Sequence, residues 1–515
     1  MPNLEVSSYS NQEVDKPRDH CAVVGMISTA GRDVAPFTKL SLHAQQNRGE
    51  NGSGIAVFDG FAKNFRLHKD LGLVADALTD EVLKSNQISG TLAVGHNRYP
   101  TSGDKEKEDK EKKQCLQPYV VSFDRRSLAI AHNGNIPERY LADLRNVLPP
   151  GIPFQSDTDS EVIAWRIMFA EGESWKEKIA NGLSGVKGAY SFVIATDEGD
   201  LFGVKDPQGI RPLTVAQTSD GYALVSETRG LEYMSGEIQN KREVNPGEMI
   251  HIDRDGKLEA LQLFSHEKTA RCVVESIYLK HPYSRDGDRE VRDIRRLMGE
   301  ALAREFPVPE DVVIIGVPDS GLEIGDGYAR ALGRMSESLI KKDRYRPNRT
   351  FMNDPDKRDS MLELKFTISD DVKDRKIVII DDSVIRGKTT TKLISALRER
   401  GASEVHVLSG SPQFVDICDL GVDIATLGEL QALKKNGGPD YVLKSNEEIA
   451  SEIGADSIDY LSLDGLIDAI GGNETDFCTN CLTRQHPIDD LPPLEADRIY
   501  TIVSRRPAII PLVDR

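Results

Sequence analysis

KIVIIDDSVIRGKTT, residues 376–390, runs from an apolar stretch through two adjacent carboxylates and a short glycine-containing loop into a group of threonines. The apolar stretch reads as a strand buried on both faces, the pattern of a parallel sheet. Such a strand delivers Asp381 and Asp382 to its carboxyl end, where open α/β sheets hold their ligands. Carboxylates there can hold sugar hydroxyls and Mg²⁺, and the amides of Arg386 to Thr390, opening a helix, can cradle a phosphate. The helix is predicted because Leu393, Ile394 and Leu397 share one face and Gly401 can end it. GVPDSG, residues 316–321, repeats the strand-end turn after VVII and before LEIGDGYARALG. Two strand–turn–helix units predict an α/β domain.

Towards the N-terminus the pattern changes. Up to about Glu259, short β-rich runs such as TLAVGHNRY, SLAIAHNGN, GAYSFVIAT and YALVSET alternate with Gly and Asn turns; after about Arg271 strands alternate with helical patterns. We therefore expect an α+β domain over 21–260 and an α/β domain over 261–490, flanked by a leader of residues 1–20 and a tail of 491–515. DKEKEDKEKK, residues 104–113, is expected to be a solvated loop inserted in the first domain.

The chain of 515 residues can bury two cores, and its net charge of −18 argues against nucleic acid as a main partner. An anionic ligand must then meet a local basic or amide-lined site. No apolar run approaches a membrane span and residues 1–20 lack the apolar centre of a secretory signal, so a cytoplasmic protein away from membranes is expected. Six cysteines are too few for a disulfide scaffold in a chain of this size.

DHCAVVGMIS, residues 19–28, puts Cys21 at the head of an apolar strand. Alone, it reads as a small buried hydrophobe. If residues 1–20 were removed, its own α-amine, with an ordinary pKa near 8, would become a base beside the thiol. LHAQQNRGENGSGIAVF, GHNRYPTSG, AHNGNI and SDTDSEVI follow in order, and with DHCAVVGMI they resemble the glutaminase domain of N-terminal-nucleophile amidotransferases. That resemblance implies a four-layer αββα domain in which Cys21 attacks glutamine, Arg98 pairs with its α-carboxylate and Asp159 holds its α-ammonium. Asn133 and the N–H of Gly134 would form the oxyanion hole. The chain departs from the common LQHRGQESAGI, with Asn47 in place of His and Gly52-Ser53 in place of Ser-Ala.

The stretch 376–390 in turn resembles the phosphoribosyl pyrophosphate signature of type I phosphoribosyltransferases. This implies that Asp381, Asp382, Ser383, Arg386, Gly387, Lys388, Thr389 and Lys341 bind that substrate, with Ser320, Asp381 and Asp382 on one Mg²⁺ per subunit. Arg344 and Arg349 would add positive charge, and 352–367 would be a closing loop. Glu363 stands where an Arg is usual, and Lys388 replaces a Thr.

With Cys21 assigned to chemistry and Cys115 beside the charged insertion, Cys272, Cys418, Cys478 and Cys481 remain, the last two as C-x-x-C; by spacing they suit structural Zn²⁺ as well as a 4Fe–4S cluster. RCVVESIYL, PQFVDICDLGVD and DFCTNCL resemble the ligand segments of the iron–sulfur class of amidophosphoribosyltransferases, which also carry a cleaved leader. That resemblance implies one 4Fe–4S cluster per subunit and transfer of ammonia from glutamine, through an enclosed channel, to phosphoribosyl pyrophosphate. The product would be 5-phosphoribosylamine, with release of glutamate and pyrophosphate, in the first step of purine synthesis. It further implies purine nucleotides as feedback inhibitors and a homodimer or homotetramer. Two alternatives stand beside it. A sugar-phosphate amidotransferase should lack IVIIDDSVIRGKTT, and a catalytically altered paralogue would bind phosphoribosyl pyrophosphate as a regulatory or redox-responsive protein.

Overall fold

A computed structural model describes residues 21–99, 108–265, 268–342, 366–424, 426–436 and 441–488. The leader, the tail, Arg344, Arg349, Glu363 and residues 352–365 of the expected closing loop lie outside the described residues.

Two antiparallel sheets form the first half. Strand Ala22–Ser28 lies inside a seven-stranded sheet, between Leu92–Arg98 and Gly221–Val225. Strand Arg126–Asn135 belongs to a six-stranded sheet and pairs with Tyr119–Phe123 and Ala189–Thr196. Side chains alternate along a strand, so Val23 and Ile27 pack between the sheets with Val94, Ala131 and Val193, while Val24 and Met26 face the outer layer with Leu42 and Val74. On the other outer face, helices Glu138–Asn146, Asp159–Phe169 and Trp175–Leu183 cover the six-stranded sheet. The result is four layers, helix–sheet–sheet–helix. Strand Leu258–Gln262 is paired into the six-stranded sheet, so this unit continues past residue 260.

The second half holds a parallel sheet of Val312–Gly316, Lys376–Asp381, Glu404–Ser409 and Ser457–Tyr460, in that order. Ile377 and Ile379 face helices Lys388–Glu399 and Asn446–Ile453 through Leu393, Leu397 and Ile449. Val378 and Ile380 face helices Val291–Glu305, Leu322–Ala331 and Leu463–Ile470 through Met298, Ile324 and Leu466. Covering both faces is what makes these strands continuously apolar.

One local expectation is corrected. Within the charged run, Asp109–Gln114 is helical, because Glu108 and Glu111 cap it reciprocally, Lys112 pairs with Asp109 at 3.5 Å, and no Gly or Pro interrupts it. None of its residues is buried, so it is solvated as anticipated.

Candidate active sites of two half-reactions

Cys21 is half-buried and heads its strand. The ladder pairs Ala22 with Asn97, which places Cys21 and Arg98 at the same end of neighbouring strands. Arg98 is 8% exposed, and its Nη1 donates to the carbonyl of Cys115 at 2.5 Å. Asp159 opens its helix and accepts from the Ile136 N–H at 2.9 Å and from the Ser160 N–H and hydroxyl at 2.6 and 3.0 Å. Burial pushes its carboxyl up, but His132, 3.4 Å away, and these donors outweigh burial and hold it below the ordinary carboxylate value.

Asn133 and Gly134 lie side by side near the end of strand Arg126–Asn135. Gly134 has φ +147°, and a Cβ there would sit 2.0 Å from the Ala189 carbonyl oxygen, so no other residue fits. Asn133 is 1% exposed, and both polar atoms of its side chain are buried with no hydrogen-bond partner. Buried amides without partners are uncommon in folded proteins. An amide kept waiting in this way is the condition of an oxyanion donor before its ligand arrives.

Beneath Cys21 lies a charge network that sequence reading missed. Arg48 Nε donates to the Cys21 carbonyl at 3.2 Å, while its Nη atoms reach Glu227 at 2.8 Å and Glu275 at 2.8 and 2.9 Å. Burial would push this guanidinium down, but Glu275 and Glu227 outweigh it and keep it charged. Glu227 also accepts from Asn47 at 3.0 Å, from the His281 N–H at 2.9 Å and from the Ser284 hydroxyl at 2.7 Å. The departure at Asn47 is thereby explained: its amide joins Glu227 to the Leu279 carbonyl, also at 3.0 Å, and so ties the loop to the second domain.

At the end of the parallel sheet, Asp381, Asp382 and Ser383 are all buried. Asp381 Oδ1 accepts from the Asp382 N–H at 2.9 Å, and Asp382 Oδ1 accepts from the Ser383 hydroxyl at 2.6 Å. The 316–321 loop sits at the same end, since Val317 N–H donates to the Ile380 carbonyl at 2.9 Å and places Ser320 nearby in the chain. Lys388 and Thr389 begin the helix Lys388–Glu399, with Gly387 as its cap. The Arg386 side chain is engaged by Glu429 at 2.6 Å and the Asp423 carbonyl at 3.0 Å. Lys341 is exposed, whereas Lys342 reaches Asp319 of the 316–321 loop at 2.9 Å. Neighbouring residues of a strand face opposite ways, and the register with Phe366–Ile368 decides which lysine turns inward.

The four remaining cysteines gather in one buried region. Cys272 pairs with Cys478 in a short parallel bridge, the Val415 N–H donates to the Cys481 carbonyl at 2.8 Å, and the Val422 N–H donates to Cys418 Sγ at 3.4 Å. Burial pushes the Cys418 thiol up to about 11 and the Cys478 and Cys481 thiols well above their ordinary value, each reinforced by its neighbours. Among the described residues, no three His, Cys, Asp or Glu side chains, here or at Asp381 and Asp382, stand close enough together to hold a metal ion as placed.

A thiol-headed αββα unit and a parallel-sheet unit with paired carboxylates at a strand end define a glutamine amidotransferase joined to a phosphoribosyltransferase. Residues 107–233 match the glutamine amidotransferase domain and 285–409 the phosphoribosyl transferase domain. The amidophosphoribosyltransferase of Synechococcus elongatus is 37% identical over 92% of this chain and 92% of its own length. A solved structure described as the allosteric regulatory enzyme of purine biosynthesis superposes with a TM-score of 0.80, at 32% identity, over 92% of this chain and 98% of its own. The glutamine phosphoribosylpyrophosphate amidotransferase from B. subtilis, complexed with ADP and GMP, gives 0.79 at 32% identity, over 92% of this chain and 99% of its own. The chain belongs to the amidophosphoribosyltransferase family.

Proposed function

We propose that this enzyme makes 5-phosphoribosylamine from glutamine and phosphoribosyl pyrophosphate, with Cys21 and the Asp381–Asp382 pair serving successive half-reactions. The observation that carries the residue assignment is Asn133, whose buried, unpartnered amide stands beside Gly134 and follows His132, whose carbonyl meets His96 Nε2 at 3.1 Å on the strand paired with the one that Cys21 heads. In this reading Arg98 and Asp159 hold the two charged groups of glutamine and the Cys21 thiolate attacks the side-chain amide. The Cys21 α-amine takes the thiol proton and later passes it to the departing ammonia, and water then hydrolyses the remaining glutamyl thioester, releasing glutamate and restoring the thiol. Asn133 and the Gly134 N–H stabilise the tetrahedral oxyanion. This requires Cys21 to be the first residue of the mature chain.

The second half-reaction belongs to the sheet end. Asp381, Asp382 and Ser320 supply oxygen donors, which suit Mg²⁺, and the bound ion would neutralise charge developing on pyrophosphate. Ser383, Gly387, Lys388, Thr389 and the Arg386 amide surround the 5-phosphate, and ammonia displaces pyrophosphate at ribose C1. Asp382→Asn, nearly the same in size, should lower synthesis from both glutamine and ammonia by at least about tenfold, or roughly 1.4 kcal/mol. Basal glutaminase should be spared. Normal ammonia-dependent synthesis in this variant would remove Asp382 from the site.

Cys272, Cys478 and Cys481, all buried, and the half-buried Cys418 form a soft donor set suited to a 4Fe–4S cluster, and such a cluster would tie the start of the second domain to its C-terminal segment. Anaerobically purified protein should be coloured and contain iron. Colourless, fully active protein with stoichiometric zinc would overturn this. Inhibition by purine nucleotides, assembly as a homodimer or homotetramer and a cytoplasmic location complete the proposal. The nucleotides rest on the ADP and GMP named with the B. subtilis relative, assembly on the family resemblance, and location on the polar character of residues 1–20, which lack the apolar centre of a secretory signal. Among the described residues no helix is long and apolar enough to cross a membrane.

A further inference from the structure

The strand that carries Asn133 and Gly134 ends at Asn135, on the border of the second domain. A short loop, Asp419–Gly421, comes from that domain to meet it. Asn135 Nδ2 donates to the Asp419 carbonyl at 2.7 Å, and Arg139, one helical turn on, pairs with the Asp419 carboxylate. His486 fixes the other Asp419 oxygen at 3.0 Å. One residue along, the Leu420 carbonyl accepts from Arg211 Nε and Nη2 at 3.1 and 2.7 Å. The Arg211 carbonyl in turn accepts from the Ser191 hydroxyl at 3.0 Å, and Ser191 is the cross-strand partner of Asn133. Gly421 then seats against Gly134 itself. Its φ is +105°, and a Cβ there would lie 2.7 Å from Arg211 Nη2 and 3.3 Å from the Gly134 carbonyl carbon.

We propose that Asp419, Leu420 and Gly421 are positioning residues for glutamine cleavage, holding the Asn133–Gly134 end of the strand in place from the phosphoribosyltransferase domain. An oxyanion donor works only when held to within about half an ångström. Beyond Ile130 this strand is paired on one side only, with Ala189–Thr196, and here Asp419 bonds Asn135, Leu420 reaches the cross-strand partner of Asn133 through Arg211, and Gly421 packs against Gly134. The glutaminase site is therefore completed by the second domain. This inference rests on the reading of Asn133 and Gly134 as the oxyanion donors.

The test uses the full-length enzyme and compares glutamine-dependent with ammonia-dependent synthesis. The Arg139 side chain is 42% exposed, so Arg139→Gln should fold normally. Its kcat with glutamine should fall about tenfold, as expected of a displaced catalytic group, with KM for glutamine and ammonia-dependent synthesis both unchanged. Arg139→Lys, which can still reach the Asp419 carboxylate, should restore most of that kcat. Gly421→Ala should show the same split more strongly. A change in glutamine KM alone, an equal loss with both nitrogen sources, or no change in Arg139→Gln would overturn the proposal. Asn133→Ala, run in parallel, should lose about 100-fold in kcat with glutamine. If that variant is fully active, the oxyanion assignment has failed rather than the positioning of its strand end.

Discussion

Cys21→Ala should lose glutamine-dependent synthesis by at least about 1,000-fold in kcat/KM, as is usual when a covalent nucleophile is removed, and keep ammonia-dependent synthesis. The reason is the separation of the two chemistries onto two units. Ammonia supplied from solution needs no thiol, no oxyanion hole and no α-amine. It needs only the strand-end site around Asp381 and Asp382. The substitution removes one sulfur from a half-buried position and leaves the Cys21 carbonyl, which Arg48 grips at 3.2 Å. Folding should therefore be little changed. A protein that keeps residues 1–20 should behave like Cys21→Ala, because its Cys21 nitrogen is an amide and cannot accept a proton. Glutamine-dependent turnover by such a precursor would refute the assignment of the base, and loss of both activities in Cys21→Ala would refute the two-site scheme.

The largest expected loss of stability follows Arg48→Ala. The Arg48 and Glu227 side chains are 0% exposed and that of Glu275 is 4% exposed. Removing the cation takes from two buried carboxylates their closest positive charge, leaving Glu227 with neutral donors and Glu275 with Arg211 at 3.5 Å, a loss that typically costs about 3–5 kcal/mol. Denaturant unfolding should register that loss, and Arg48→Lys should recover only part of it, because one ammonium cannot reproduce a fork that serves Cys21, Glu227 and Glu275 at once. Glutamine-dependent activity should also fall, since the backbone of the nucleophile loses its anchor. An Arg48→Ala protein with unchanged stability would show that the carboxylates find other partners or take up protons.

Much of this molecule was already readable in the one-dimensional chain. VVII and IVII are apolar on both faces and so had to be strands covered on both sides, and the helix after Thr389 follows from the spacing of Leu393, Ile394 and Leu397. The short apolar run AVVGMIS fitted a strand, and it is buried along its whole length. These are local signals, because the period of the hydrophobic pattern reports which faces of an element are buried. The candidate residues Cys21, Arg98, Asn133, Gly134, Asp159, Asp381 and Asp382 were likewise visible, each lying in a short motif whose residues are neighbours in the chain.

What a face is buried against is a different kind of information. Only the tertiary structure could reveal that Arg48 meets Glu227 and Glu275, partners 179 and 227 residues away, or that Asn135 meets the carbonyl of Asp419 across 284 residues. A buried arginine and an exposed one look alike in sequence, since either can be paired and the pairing is set by where two domains touch. The choice between Lys341 and Lys342 belongs here too: both are basic, and only the register of a three-residue strand turns Lys342 towards Asp319. Sequence determined the elements, the two layered units and the chemistry of each motif, through periodicity and the fixed reactions of side chains. The tertiary structure decided the contacts between those units, because contact energy depends on distance in space and the chain carries no local record of it.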